Sequence, residues 1–137
     1  MSAAIVPEAF SPIDLGSGFS NALGHLYVDR AGKRLGFLCG TDQCNPLGTC
    51  HGGAIATFAD AQILAVNPGS ETRTEHFPTI NLSIDFMAHV YAGDWVESEV
   101  SVDRRSKSLL FTHALMRTAD RLVARSTAIY RVMDWRP

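Results

Sequence analysis

The stretch from Ala54 to Val66 places apolar residues on every face of a predicted helix. Ile55, Phe58 and Ile63 stand among alanines, and no run of β-branched residues interrupts them. A helix that is apolar all round is a buried helix. The rest of the chain must therefore wrap around it. One carboxylate, Asp60, stands in the middle of this stretch, and a buried carboxylate requires either a partner or a function.

Length and charge limit what can surround the helix. The chain has 137 residues, enough for one domain with a real core. Its net charge is −2 and no run of Lys and Arg exceeds two residues, which argues against a nucleic-acid surface. No apolar run reaches the ~18 residues of a membrane span. The first residues lack the basic region of an export signal, so we expect a cytoplasmic protein.

The remaining sequence predicts mainly antiparallel strands. Residues 1–22 read as an irregular segment, 24–39 as a hairpin, and Pro68 with Gly69 as the end of the helix. Period-two alternation and turn residues then predict four strands, at about 79–90, 96–103, 108–118 and 121–135.

These elements predict an α+β fold over residues 23–137, with a curled antiparallel sheet wrapped around one long buried central helix. One sheet covers only part of a helix that is apolar all round. We therefore expect a second copy of the chain to cover the rest, giving a homo-oligomer, either a dimer or a dimer of dimers.

Three cysteines, Cys39, Cys44 and Cys50, are spaced C-x4-C-x5-C. The spacing fits no common zinc pattern, and an odd number argues against a disulfide framework. We interpret them as buried or loop thiols and expect no metal site. A nucleophilic Cys50 beside His51 is the alternative, although adjacent residues seldom point at each other.

The run N-x-x-G-x-x-H-G-G covers residues 45–53, and Asp60 follows seven positions after its last glycine. This motif and the order of elements resemble the hotdog-fold acyl-CoA thioesterases, closest to the PaaI-like branch of the 4-hydroxybenzoyl-CoA thioesterase superfamily. The resemblance implies hydrolysis of a small aryl- or medium-chain acyl-CoA. It implies no cofactor, because coenzyme A is part of the substrate.

The same resemblance assigns the head of the helix to the thioester carbonyl. The backbone N–H of Gly52 would hold that oxygen, helped by the helix dipole and by the side chain of Asn45. His51 would shape the entrance, and Gly53 would belong to the substrate-binding surface. Without the resemblance, the two glycines could simply permit close packing, and Asn45 before Pro46 is an ordinary turn.

By resemblance, Asp60 is the catalytic carboxylate, either a general base or a nucleophile, and Thr79 helps to hold the water. Helical geometry adds a constraint of its own. Nine positions separate His51 from Asp60, which is ~13 Å along a helix and about 180° around it. If both serve one reaction, they must come from different subunits.

Basic residues follow the second of the four predicted strands. Arg104, Arg105 and Lys107, with Ser106, stand at its turn, where relatives often bring cations to the phosphates of coenzyme A. A solvated hairpin tip is the alternative interpretation.

Two other function classes remain open at this stage. A non-catalytic acyl-CoA-binding or regulatory protein could use the same fold, but it would have little need for Asp60. A hotdog dehydratase or hydratase is weaker, because His-Phe-Pro at 76–78 lacks the downstream prolines and glycine of the dehydratase motif.

Overall fold

The computed structural model describes residues 5–67 and 75–134, and these fold into a mixed α+β structure, as predicted. The strands are β1 (Ser11–Ile13), β2 (Leu26–Asp29), β3 (Arg34–Leu38), β4 (Glu75–His76), β5 (Thr79–Phe86), β6 (Trp95–Arg105), β7 (Leu109–Thr118), β8 (Arg121–Arg131) and β9 (Met133–Asp134). The α-helices are α1 (Gly52–Asp60) and α2 (Ile63–Val66), and short 3-10 turns occupy Phe19–Leu23 and Thr41–Gln43. No helix within the described ranges has the length and apolar character needed to cross a membrane.

Seven strands form one antiparallel sheet in the order β1-β2-β3-β6-β7-β8-β5, and β4 pairs separately with β9. Every second residue along β7 is buried, so one face of the sheet lies against the core. Its buried positions are Leu110, Thr112, Ala114, Met116 and Thr118.

Helix α1 lies on the core face of the sheet. The rings of Phe58 on α1 and Phe37 on β3 are 4.8 Å apart, and both side chains are buried. Ala59 beside Phe58 is fully buried, so the helix backbone approaches the sheet closely. This contact fixes where both ends of α1 lie.

The predicted continuous helix is divided in the structure. It begins at Gly52, two residues earlier than expected, and breaks at Ala61 and Gln62 before α2 begins. The predicted end by Asn67 is confirmed. Asp60, expected in the middle of a buried helix, is the exposed last residue of α1, because the break turns the chain there.

Strand β5 also differs from the expectation of one buried face. It is an edge strand of the sheet, and Ile80 and Phe86 are 56% and 58% exposed. Leu82 and Ile84 between them are only half-buried. The single chain therefore leaves an apolar edge uncovered.

The structure differs from the prediction near both ends of the described chain. The segment expected to be irregular contains β1, which pairs with β2, and Phe10 next to it is buried edge-on against Trp95. The last long strand ends at Arg131 rather than near residue 135, which lies outside the described residues.

Replacing Phe58 with Ala tests how strongly α1 depends on this packing. The side chain is 1% exposed, so its loss should lower the free energy of unfolding by about 3–5 kcal/mol. The control is Phe19→Ala, since Phe19 is 78% exposed and its loss should cost less than about 0.5 kcal/mol. Urea denaturation followed by circular dichroism measures both, and equal losses would contradict the helix docking described here.

Candidate active site

The head of α1 is capped by His51. Its Nδ1 accepts a hydrogen bond from the backbone N–H of Gly53 at 2.8 Å. A Cβ on residue 53 would lie 2.9 Å from that nitrogen, so a glycine is required for the imidazole to reach its position. The sequence motif His-Gly-Gly therefore has a local structural reason, which is a side-chain cap on a helix.

Gly52, the first residue of α1, differs from Gly53 in how its backbone N–H is used. Among the hydrogen bonds of the described residues, none uses its backbone N–H. A Cβ on Gly52 would meet only the ring of Phe86, at 3.6 Å, which is ordinary contact. The fold therefore does not need a glycine at position 52 for its own packing, and the N–H is available to a ligand.

Asn45 organises the loop before the helix. Its side-chain oxygen accepts from the N–H groups of Leu47 and Thr49, and its amide donates to the Thr49 hydroxyl at 2.8 Å. These bonds close an Asx turn, which is the structural role that the Asn45-Pro46 pair suggested. One amide hydrogen of Asn45 can still be offered to a ligand.

Asn45 and Gly52 lie together at a pocket of about 220 Å³. Most of its other walls are apolar and come from the loop before α1, from α1, β5 and β8, and from the segment after β5. They are Thr49, Cys50, Ile55, Phe86, Ala88, His89, Val90 and Val123. The pocket thus joins one exposed amide N–H to an apolar cavity, which suits a carbonyl compound with an apolar tail.

The carboxylate of Asp60 lies at the other end of α1. The hydroxyl of Thr79, the first residue of β5, donates to Asp60 Oδ1 at 2.6 Å. The hydroxyl of Tyr130 on β8 donates to the backbone carbonyl of Asp60 at 2.8 Å. Thr79 and Tyr130 are direct partners across β5 and β8, so one cross-strand pair holds both the side chain and the main chain of Asp60.

The burial of Tyr130 raises the pKa of its hydroxyl, and the negative charge of Asp60 adds to the shift. The phenol therefore stays protonated and remains a donor throughout the neutral range.

The carboxylate and the pocket do not meet within one chain. Asp60 is absent from the pocket wall, and the nine residues of α1 separate it from Gly52 by about 12 Å along the axis. The two halves of the predicted site are therefore at opposite ends of a rigid element.

The basic hairpin lies at the Asp60 end of the sheet. Arg105, Leu110, Tyr130 and Thr79 are successive partners across β6, β7, β8 and β5. Three strand spacings separate Arg105 from Thr79, which is about 14 Å. The sequence could not show this row, because it depends on the strand register.

The four hairpin residues have different roles. Arg105 forms an ion pair with Glu75 at 2.7 Å, and the Ser106 hydroxyl accepts from the Leu109 N–H to close the turn. Arg104 and Lys107 are exposed, and none of the described ion pairs uses either of them. They are the cations most available to a ligand.

The three cysteines are free thiols near one another. The sulfurs of Cys39 and Cys44 are 3.7 Å apart, and a hydrogen bond from Cys39 lowers the pKa of the Cys50 thiol. The Cys50 sulfur contacts the backbone carbonyl of His51 at 3.8 Å, and no described hydrogen bond joins it to the imidazole, whose Nδ1 accepts from the Gly53 N–H. The alternative Cys50 and His51 pair is therefore not seen in the structure. Over residues 5–67 and 75–134, no cluster of three or more His, Cys, Asp or Glu side chains is suited to a metal ion.

Sequence reasoning missed three residues that the structure places at the site. In the sequence, Phe86 is one apolar residue of an alternating strand, but in the structure it lies over Gly52 at the pocket. Tyr130 gave no signal, because it is one aromatic residue in an alternating strand. Gln62 did give one, since it is a second polar residue in the apolar helix, and it is buried.

The cap on α1 can be tested by two substitutions of His51. His51→Ala removes the acceptor for the Gly53 N–H and should lower the free energy of unfolding by about 1 kcal/mol. His51→Asn supplies another capping oxygen and should retain most of the stability. Thermal unfolding measures the pair, and equal losses in both variants would argue that the imidazole contributes through something other than the cap.

Comparison with known proteins gives this geometry a family. The thioesterase superfamily model matches residues 47–125. A provisionally named esterase of Pseudomonas aeruginosa is 28% identical over 130 residues, which are 93% of this chain and 97% of the relative.

Solved structures show the same fold. A mutant of the phenylacetic acid degradation protein PaaI from Thermus thermophilus matches with a TM-score of 0.62 at 21% identity, over 72% of this chain and 82% of that one. A Streptococcus mutans protein, solved with acetyl-CoA bound, matches with a TM-score of 0.67 at 18% identity, over 98% and 96%. The resemblance drawn from the motif is confirmed at the level of the superfamily: the chain belongs to the thioesterase superfamily, has the hotdog fold and is a thioester hydrolase.

Proposed function

We propose that the protein hydrolyses the thioester of a small aryl- or medium-chain acyl-CoA, with Asp60 as the reacting carboxylate and Gly52 as the carbonyl-binding group. The observation that carries the proposal is the pair of chemical groups at the two ends of α1. One end offers an unused N–H at an apolar pocket, and the other offers a carboxylate held by a hydroxyl.

At the pocket, the thioester carbonyl would accept from the Gly52 N–H. The partial positive charge at the head of a helix favours negative charge that develops on this oxygen. The acyl group would lie against Ile55, Phe86 and Val90. A cavity of about 220 Å³ is small for a ligand pocket, which favours a short acyl chain or a single ring.

At the carboxylate, Asp60 would either activate a water or attack the carbonyl carbon directly. In the first route Asp60 takes a proton from a water that attacks the carbonyl carbon; the C–S bond then breaks, and the coenzyme A thiolate leaves and takes the proton back from Asp60. In the second route the Asp60 carboxylate attacks the carbonyl carbon and the coenzyme A thiolate leaves, giving a mixed anhydride; water then opens the anhydride, which releases the acid, restores the carboxylate and supplies the proton for the thiolate. The Thr79 hydroxyl fixes the orientation of the carboxylate in both.

The two halves would meet across a dimer. Strand β5 carries Thr79, which contacts Asp60, at its first residue, and Phe86, which lies over Gly52, at its last. If two β5 edges pair in antiparallel fashion about a two-fold axis, the Thr79 end of one faces the Phe86 end of the other. Each site would then take Asp60 from one chain and Gly52 from its partner.

The apolar edge of β5 supports this assembly, because Ile80, Phe86 and Met87 are exposed in the single chain. Coenzyme A would place its phosphates toward Arg104 and Lys107, at the same end of the sheet as Asp60. Arg105 would take part only by leaving Glu75, so we expect it to contribute less.

Asp60→Asn tests the chemistry. The substitution keeps the shape and removes the base or nucleophile, so kcat should fall by ~100-fold or more with KM largely kept. The matched control is Asp120→Asn, an exposed carboxylate in the turn between β7 and β8 that lies outside the pocket wall and off the β5 edge, and it should leave kcat unchanged. Thiol release from a panel of aliphatic and aryl acyl-CoAs measures both. Near wild-type turnover in Asp60→Asn would remove the proposed mechanism and favour a binding protein or another reaction.

A mixed-subunit experiment tests the shared site. Gly52→Val keeps the N–H but places a branched side chain where the acyl group must approach it, and Asp60→Asn removes the reacting carboxylate. Each variant should be nearly inactive alone, because every site carries one lesion. In a mixed dimer both lesions fall in one site and the other site is intact. Random pairing makes about half the dimers mixed, so co-refolded chains should recover roughly a quarter of wild-type activity.

Two affinity tags recovered on one particle establish that the subunits exchanged, and light scattering should give at least a dimer. No recovery in proven mixed dimers would show that each site is built within one chain. A monomeric mass at micromolar concentration would exclude the dimer itself.

A further inference from the structure

Four buried side chains of the sheet and helix meet at the break between α1 and α2. We call Gln62, Thr112, Ser126 and Tyr130 the helix-break anchor. All four are buried, with Gln62 and Tyr130 each 1% exposed.

Tyr130 spans the break itself. Asp60 ends α1, and among the described backbone hydrogen bonds none is accepted by its carbonyl. The Tyr130 hydroxyl donates to that carbonyl at 2.8 Å, and the backbone N–H of Ile63 faces the hydroxyl oxygen of Tyr130. One side chain thus connects the last residue of α1 to the first residue of α2.

Gln62 fastens the break to the sheet. Its amide donates to the carbonyl of Ala59 at 2.9 Å and to the hydroxyl of Ser126 at 3.1 Å. Its oxygen accepts from Thr112 at 2.7 Å. A buried amide that is satisfied on both sides has one position, because any shift leaves a polar group without a partner.

From this geometry we infer that Tyr130 is a positioning residue for Asp60, supported by Gln62. The inference rests on the proposed role of Asp60. It adds a residue that the reaction motif does not contain, and it gives the exposed Asp60 a buried contact on its main chain.

The position of Tyr130 in the sheet makes the role specific. It is the direct cross-strand partner of Thr79, whose hydroxyl holds the Asp60 carboxylate. Tyr130 and Thr79 therefore fix the two ends of the same residue, the carbonyl and the carboxylate, from neighbouring positions on β8 and β5. A side chain that only capped the helix would not be paired in this way with the residue that holds the carboxylate.

Tyr130→Phe removes one oxygen and keeps the ring. We expect kcat to fall about tenfold with KM unchanged, because the carboxylate loses its alignment while the pocket and the coenzyme contacts remain. The matched control is Thr118→Val, which removes another buried hydroxyl that donates to a backbone carbonyl, that of Trp95. Both variants should lose similar thermal stability, but only Tyr130→Phe should lose kcat. Equal kcat in the two variants, measured where both are folded, would overturn the inference.

A double-mutant cycle separates this inference from the proposed function. If Tyr130 acts through Asp60, then adding Tyr130→Phe to Asp60→Asn should not lower the residual turnover further. A further tenfold loss in the double variant would overturn the positioning role. Full activity of Asp60→Asn alone would instead remove the proposed function.

Should Tyr130→Phe fail to fold, Thr112→Val gives a second arm. It removes the donor to Gln62 and should lower kcat by about twofold to fivefold with KM kept. Ser126→Ala should act in the same direction. Unchanged kcat in both variants would overturn the supporting role of Gln62.

Discussion

The packing of α1 against the sheet is the contact on which the rest of this structure depends. Phe58 and Phe37 fix the helix across the core, and Ala59 lets its backbone come close. Once the helix is placed, its head lies beside the last residue of β5 and its end beside the first. The hydrophobic contact sets where the two ends of α1 lie, and the local hydrogen bonds at each end act on that placement.

Much of the fold could be predicted from the sequence, because two periods were clear. The apolar run from Ala54 predicted a helix on a core, and the alternation after Thr79 predicted consecutive antiparallel strands. The edge position of β5 could not be predicted, because an edge strand and a central strand can have the same alternation of apolar and polar residues. The break after Asp60 was also missed, because the side chain that bonds to the carbonyl at the break, Tyr130, is 70 residues away in sequence.

The candidate site shows a similar division. The motif brought Gly52, Asp60 and Thr79 into consideration, and the structure joins Thr79 to Asp60 and Asn45 to the Gly52 pocket. Spacing along the helix predicted that the two groups stay apart in one chain. Local geometry alone gave the other roles: His51 is a cap, and much of Asn45 is committed to its own loop.

In the proposed dimer, activity would depend on how the two β5 strands are aligned. A slip of two residues between paired edges keeps the same side chains on the same face and retains the hydrogen-bond ladder. It would nevertheless move Thr79 of one chain by about 7 Å relative to Phe86 of the other. Such a dimer would be folded and stable but inactive. Turnover would therefore depend on the register between the subunits as well as on the folding of each chain.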